Sequence, residues 1–148
     1  MKARSFILMG ILLLVVSSLF ASDIERCYGT WANPKYDENY MKSAKYVIQS
    51  DGTFEEYRST TDKNPLVAGT FSVKANWIDA EGNTYFQMSN VDVETPFDDT
   101  TKTLEQHYYC LWKLGNTEKT LEVECNTWDY PTELDTGSFY YHIYYRQE

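Results

Sequence analysis

The chain has 148 residues, of which 43% are hydrophobic and 16% aromatic, and it carries a net charge of −9. This apolar content is too high for a disordered chain, and the length suits one domain. The excess of acidic residues argues against a nucleic acid or an anionic membrane surface as a partner, because contacts with phosphate need clustered lysine and arginine.

The N-terminal segment predicts a secretory signal peptide over residues 1–21. Lys2 and Arg4 precede an apolar run over residues 6–16, and small residues follow it; this order is typical of export signals. The run is shorter than the roughly 20 residues of a spanning helix, which disfavours the alternative of an uncleaved membrane anchor. We expect cleavage near Ala21, a periplasmic or secreted protein, and no membrane span after cleavage.

Removal of the signal leaves a single predicted domain, residues 22–148. The signal contains two basic residues and no acidic residue, so the mature chain carries 11 basic and 22 acidic residues and a net charge of −11. Solubility is the simplest interpretation of this charge. Three cysteines remain, and export makes a disulfide possible. A lipid anchor is disfavoured because the first of them, Cys27, lies well beyond the apolar run.

Period-two alternation of apolar and polar residues recurs along the mature chain and predicts strands. In chain order the predicted strands cover residues 28–32, 44–49, 53–59, 71–77, 84–93, 103–114, 120–128 and 139–146. Short links join them, and Asp51-Gly52 is the strongest hairpin signal. The pattern predicts an all-β fold, an eight-stranded antiparallel up-and-down β-barrel. A small sandwich is the alternative, but sequential hairpins favour the barrel, in which closure removes exposed edges.

The hairpin of the sixth and seventh predicted strands has a register that can be tested on the sequence. If Lys113 faces Glu122, then Cys110 faces Cys125, and the apolar faces of the two strands agree. Both sulfurs then lie on the inner face within bridging range, which favours a Cys110–Cys125 disulfide. A bridge from Cys27 to either of them and the absence of any bridge stay open.

The start of the mature domain, Gly29-Thr30-Trp31, resembles the Gly-x-Trp motif that opens the first strand of lipocalins. In that family the tryptophan packs across the closed end of an eight-stranded barrel, and an arginine from the last strand lies against it. Arg146, at the end of the last predicted strand, matches that arginine. The resemblance implies a lipocalin-like, calycin-type barrel closed by Gly29, Trp31 and Arg146. The alternative interpretation of Trp31 is an ordinary core aromatic.

Inward-facing side chains of such a barrel predict the lining of a ligand cavity. An eight-stranded barrel either holds one small ligand or is filled by its own side chains. The candidate lining residues are Phe71, Val73, Trp77, Tyr85, Tyr108, Trp112, Val123 and Tyr141. This lining favours a small hydrophobic or aromatic ligand with its polar end held by tyrosine hydroxyls. The alternative is that these residues form a packed core without a cavity.

The sequence gives little indication of catalysis. Alternation places His107 on the outer face of its strand and suggests the same for His142, and no nucleophile motif accompanies either. The cysteines lack the spacing of a zinc site. Asp98-Asp99 is best interpreted as a solvated turn rather than a weak calcium site. We therefore predict a binding protein with no catalytic residues, no metal and no cofactor.

A protein-interaction module is the alternative function, for example a hydrolase inhibitor that acts through its loops. The stretch at residues 126–131, Asn-Thr-Trp-Asp-Tyr-Pro, is the best candidate surface, because Trp and Tyr are frequent anchors of interfaces. A loop that folds over the barrel mouth is the competing interpretation of the same stretch.

Overall fold

The computed structural model describes residues 23–38, 42–94 and 101–148, and within them eight strands form a closed barrel. The strands are β1 Gly29–Ala32, β2 Lys45–Ile48, β3 Thr53–Tyr57, β4 Val67–Ile78, β5 Thr84–Glu94, β6 Leu104–Leu114, β7 Thr120–Asn126 and β8 Tyr141–Arg146. Each strand pairs antiparallel with the next, and β8 pairs with β1. The predicted up-and-down barrel of eight antiparallel strands is confirmed, and it is compatible with the lipocalin-like architecture.

Two short 3-10 helices, Glu25–Cys27 and Pro34–Tyr36, flank β1. Across the described ranges, no helix is long and apolar enough to cross a bilayer. The predicted signal peptide, residues 1–21, and the Asp98-Asp99 turn lie outside the described residues.

The connections between strands differ at the two ends of the barrel. Tight turns join β2 to β3, β4 to β5 and β6 to β7 at one end, which we call the closed end. The strand ends that the longer connections β1–β2, β3–β4, β5–β6 and β7–β8 join lie at the other end, which we call the open end. The strict up-and-down order produces this division, because alternate connections of antiparallel strands fall on opposite ends.

The β6–β7 hairpin has the register that the sequence predicted. Lys113 pairs with Glu122 and Cys110 with Cys125. On the outer face the ammonium of Lys113 lies 3.1 Å from a carboxylate oxygen of Glu122. On the inner face Cys110 and Cys125 form a disulfide, as predicted. Cys27 is left as a free, fully buried thiol, and burial raises its pKa to about 12.

A bulge in β4 changes which side chains face the interior. The register of β4 against β5 shifts between Val73 and Ala75, which leaves Lys74 as an extra residue. An insertion of one residue reverses the inward and outward faces of the strand beyond it. Trp77, expected inside, therefore lies on the outer face, where it is 40% exposed and stacks on Tyr85 with ring centroids 5.4 Å apart.

Trp31 and Arg146 seal the closed end. The Trp31 ring is fully buried, and its Nε1 donates to the carbonyl oxygen of Cys27 at 2.8 Å. The guanidinium carbon of Arg146 lies 4.2 Å from the centroid of that ring, a favourable cation–π contact. The same guanidinium donates hydrogen bonds to the backbone carbonyls of Arg26, Tyr28 and Glu118.

A glycine is needed at position 29 because of its backbone conformation, not because a side chain would lack room. Its φ of +126° is a conformation that side-chain-bearing residues rarely adopt. A Cβ built at this position would lie 3.5 Å from Nη1 of Arg146, which is an ordinary contact. The glycine lets the chain turn sharply into β1 and bring Trp31 beneath the arginine.

We expect Trp31→Ala to lower the free energy of unfolding by roughly 3–5 kcal/mol, because it empties the largest buried site of the closed end. Chemical denaturation of the wild type and the variant would measure the difference. Trp77→Ala is the matched control, since that ring lies 40% exposed on the outer face, and its cost should stay below about 1 kcal/mol. Equal losses in the two variants would contradict a sealing role for Trp31.

Candidate ligand cavity

A cavity of about 330 Å³ occupies the open end of the barrel. Its lining comes from the open-end segments of strands β2 to β8 and from the connections beside them. The apolar and aromatic lining residues include Tyr46, Leu66, Val67, Tyr108, Val123, Phe139, Tyr140 and Tyr144. The polar ones include Lys42, Ser43, Glu56, Arg58, Asn90, Asp92, Glu94 and His142. The interior is therefore hollow at one end, with a mixed aromatic and charged surface.

Stacked aromatic rings separate the cavity from the filled part of the barrel. The rings of Tyr46 and Tyr144 stack with centroids 5.7 Å apart, and both residues line the cavity. Tyr46 also contacts the edge of Trp112, whose ring is fully buried. Phe71 packs against Trp112 in turn, with centroids 5.6 Å apart. Below the tyrosine pair, side chains fill the interior.

Three carboxylic acids, Glu56, Asp92 and Glu94, lie on one side of the cavity, and we call them the acidic wall. β4 separates β3 from β5, and Val67 pairs with both Glu56 and Glu94, so these two residues flank one position of β4. Burial and the charges of the other two acids raise the pKa of Asp92 to about 8. Burial also raises the pKa of Glu56, although its carboxylate accepts a hydrogen bond of 2.6 Å from the Ser43 hydroxyl.

Two polar atoms beside the acidic wall lack a hydrogen-bond partner in the described part of the chain. They are Oδ1 of Asn90 and Oδ1 of Asp92, both removed from solvent. Asn90 is only 3% exposed, and its side chain lines the cavity. Buried polar atoms in folded proteins almost always have a partner, so these two are exceptions that need an explanation.

His142 and Lys42 line the cavity and come from β8 and the β1–β2 connection. The His142 ring stacks on Tyr144, with centroids 6.0 Å apart and planes within 4°. Burial and the positive charge of Lys42 lower the pKa of His142 to about 4. The Lys42 ammonium donates a hydrogen bond of 2.6 Å to the carbonyl oxygen of Tyr141. At neutral pH the histidine is thus an uncharged aromatic surface.

The predicted lining residues fall into three groups in the structure. Tyr108 and Val123 line the cavity. Phe71, Val73 and Trp112 face the interior but belong to the packed core rather than to the cavity lining.

The third group, Trp77, Tyr85 and Tyr141, lies on the outside of the barrel. The bulge in β4 explains the position of Trp77. Tyr85 pairs with Trp77 in the sheet. The buried residues of β5 are the even-numbered ones, so Tyr85 faces outward. The hydroxyl of Tyr141 donates a hydrogen bond of 2.6 Å to Glu122, whose partner on the other side, Lys113, is an outer-face residue. On β8 it is His142, expected outside, that faces the interior.

The sequence analysis missed the polar side chains of the cavity. Asn90 and Asp92 continue the inner face that Phe86 and Met88 begin in β5, and Glu56 shares a face with Phe54 in β3. Continuing the two-residue alternation along each strand from these apolar residues would have predicted that Asn90, Asp92 and Glu56 face the interior. The predicted inner face of β5, which included Tyr85, had the wrong parity, and acidic residues were not expected inside.

Comparison with protein-family models, with curated proteins and with solved structures found no match for this chain. Within residues 23–38, 42–94 and 101–148, no group of histidine, cysteine and acidic side chains is arranged to hold a metal ion.

We expect Asp92→Asn to make the barrel more stable relative to the wild type as the pH rises from about 4 to about 8. The folded protein keeps the Asp92 proton up to a pKa of about 8, whereas the unfolded chain loses it near the ordinary aspartate value of about 3.9. Folding of the wild type therefore takes up a proton in this window, and its stability falls as the pH rises.

Urea denaturation at several pH values would measure this effect as the difference in unfolding free energy between variant and wild type. The difference should grow by at most about 1.4 kcal/mol per pH unit and level off above pH 8. Glu105→Gln is the control, because that side chain is 66% exposed on the outer surface. A difference between Asp92→Asn and wild type that stays constant across this range would show that Asp92 titrates normally.

Proposed function

We propose that this chain is an exported, lipocalin-like binding protein that holds one small aromatic or apolar molecule in the barrel and performs no reaction on it. The observation that carries this proposal is the cavity of about 330 Å³ at the open end of an otherwise filled barrel. That volume is at the lower end of the range of ligand sites, which is roughly 300–1,000 Å³. An eight-stranded barrel has room for one such ligand.

The division of the barrel into two ends supports the proposal. The closed end is occupied by Trp31 and Arg146 and by tight turns, so it gives a ligand no entry. A ligand would enter at the open end, where strands joined by the longer connections begin and end. Loops of this kind, placed on a rigid scaffold, are where proteins usually carry binding sites.

Export is supported by the N-terminal signal pattern and by the chemistry of the cysteines. The Cys110–Cys125 disulfide is of the kind that forms and persists in oxidising compartments. The third thiol, Cys27, is fully buried with a pKa of about 12, and a buried thiol of this kind is unreactive. The sulfur chemistry therefore suits the outside of the cell or the periplasm.

The proposal assigns His142 no catalytic role. General bases work best with a pKa near the operating pH. The pKa of His142 is lowered to about 4, and its ring is stacked on Tyr144, so it is a weak base at neutral pH.

We expect Val123→Trp to weaken binding of the fluorescent apolar probe N-phenyl-1-naphthylamine by about tenfold or more, equivalent to about 1.4 kcal/mol. Val123 lines the cavity and is 7% exposed, so the larger ring takes up space that a ligand needs. Titration of the probe against wild type and variant would measure the two dissociation constants.

Val93→Trp is the matched control for this titration. Val93 is 38% exposed on the outer face of β5, so the same substitution there leaves the cavity unchanged. Thermal unfolding of both variants checks that they fold, since overpacking of an interior site costs about 1–3 kcal/mol. Failure of the wild type to bind the probe, or equal binding by all three proteins, would contradict binding inside the barrel.

A second candidate function, binding of a protein through the β7–β8 connection, is favoured by the exposure of Trp128. Its side chain is 76% exposed, while its backbone is held in place. The Asn126 side-chain oxygen accepts hydrogen bonds from the backbone amides of Trp128 and Asp129. Tyr130 packs edge-on against Tyr109 with centroids 5.0 Å apart. An exposed indole on an ordered loop is a suitable anchor for a partner protein.

If the loop is an interface, Trp128→Ala should weaken capture of any co-purifying protein by about 30-fold, the effect of a loss of about 2 kcal/mol at a hot spot. Quantitative pull-down from the exporting cell's own medium or periplasm would measure it. Trp77→Ala removes another exposed indole, on the outer face of β4, and should change nothing. A partner retained equally by both variants would rule out the loop as its binding surface.

A further inference from the structure

The cavity is not the purely apolar site that suits a hydrophobic ligand. One side carries the acidic wall of Glu56, Asp92 and Glu94. The independent observation is Asn90, which lines the same space, is 3% exposed and has a side-chain carbonyl oxygen without a hydrogen-bond partner among the described residues. Oδ1 of Asp92 is buried and unpartnered as well among the described residues. The cavity therefore presents hydrogen-bond acceptors that a ligand with N–H donors would satisfy.

We propose that the cavity selects a small organic cation, an aromatic compound with a protonated primary amine, and this inference rests on the proposed ligand-binding function. An ammonium group has three N–H donors and no acceptor. The acidic wall and Asn90 supply oxygen acceptors of the complementary kind. Burial and the charges of the other two acids raise the pKa of Asp92 in the absence of a cation, and a ligand ammonium beside it would favour the charged carboxylate.

The aromatic part of the ligand is argued from the rest of the lining. Tyr46, Tyr108 and Tyr144 contribute rings to the cavity, and the uncharged His142 stacks on Tyr144. Aromatic faces attract both flat rings and ammonium groups. The volume of about 330 Å³ suits a compound with one ring system and a short side chain rather than a long-chain lipid.

Neutral and anionic ligands fit the same space less well. An apolar ligand would leave the oxygens of Asn90 and Asp92 without partners, which is costly for buried polar atoms. An anion would be repelled by the acidic wall. The lining also carries two basic side chains, Lys42 and Arg58, and both have contacts within the protein. Lys42 donates to the carbonyl of Tyr141, and Arg58 has a partner of its own.

Three probes of nearly equal shape test the charge preference: 2-phenylethylamine, 2-phenylethanol and 3-phenylpropionate. Each would be titrated into the full-length mature protein at pH 7.5 by isothermal calorimetry and by displacement of N-phenyl-1-naphthylamine. We expect the amine to bind at least about tenfold more tightly than the alcohol, a difference of about 1.4 kcal/mol, and the carboxylate to bind more weakly than either.

Variants of the acidic wall show whether that preference comes from these residues. In Glu56→Gln/Asp92→Asn both side chains keep their shape but can no longer become negatively charged beside a bound ammonium group, and we expect the preference for the amine over the alcohol to disappear. Binding of the alcohol should remain, which shows that the variant is folded. Glu105→Gln, a neutralised carboxylate on the outer surface, is the control and should behave like the wild type.

The outcomes separate this inference from the proposed function. If the dye and all three probes bind with similar affinity, the barrel binds ligands and the inference of a cation is wrong. If the amine is preferred equally by the wild type and the double variant, the acidic wall is not the selective element and the inference is also wrong. If neither the dye nor any probe binds the wild type, both the proposed ligand-binding function and the inference of a cation are wrong.

Discussion

Closure of the sheet between β1 and β8 is the constraint on which the rest of this barrel depends. The two strands pair at two positions, Trp31 with Arg146 and Ala32 with Tyr145, so their backbone ladder is short. Arg146 reinforces it, because its planar guanidinium covers the Trp31 ring and bonds three carbonyl oxygens at once. Without that closure, β1 and β8 would be edge strands, each with one unpaired row of backbone groups.

The molecule combines a well-packed half with a half that is costly to fold. Toward the closed end the interior is filled by large rings, and Phe54 packs so tightly over Gly69 that a Cβ there would lie 2.6 Å from the ring. Toward the open end the chain buries the carboxyl groups of Glu56 and Asp92 and leaves polar atoms without partners. Such groups oppose folding, and sites of this kind persist where surrounding structure holds them in place.

Strand order and the β6–β7 register could be predicted from the sequence because their signals are local. Alternation marks each strand, and the paired positions Lys113–Glu122 and Cys110–Cys125 fix both faces of one hairpin. The inner face of β4 could not be read in the same way. Its apolar residues alternate without interruption up to Trp77, and the bulge at residue 74 that reverses the face depends on pairing with β5. The polar residues of the cavity were missed for another reason: the inner face of β5 was assigned the wrong parity, and an inward-facing polar residue at the end of a strand resembles an outer-face residue.

The burial of Cys27 has a consequence for how the native sulfur pairing is reached. Thiolate is the species that attacks a disulfide, and because burial raises the pKa of Cys27 to about 12, very little of the folded protein carries it at neutral pH. The folded barrel thus keeps its third sulfur from exchanging with the Cys110–Cys125 bridge. An unfolded chain has no such protection, because its three thiols permit three different single bridges. The yield of correctly bridged protein then depends on timing, since oxidation that precedes burial of Cys27 can trap the chain in either of two wrong isomers.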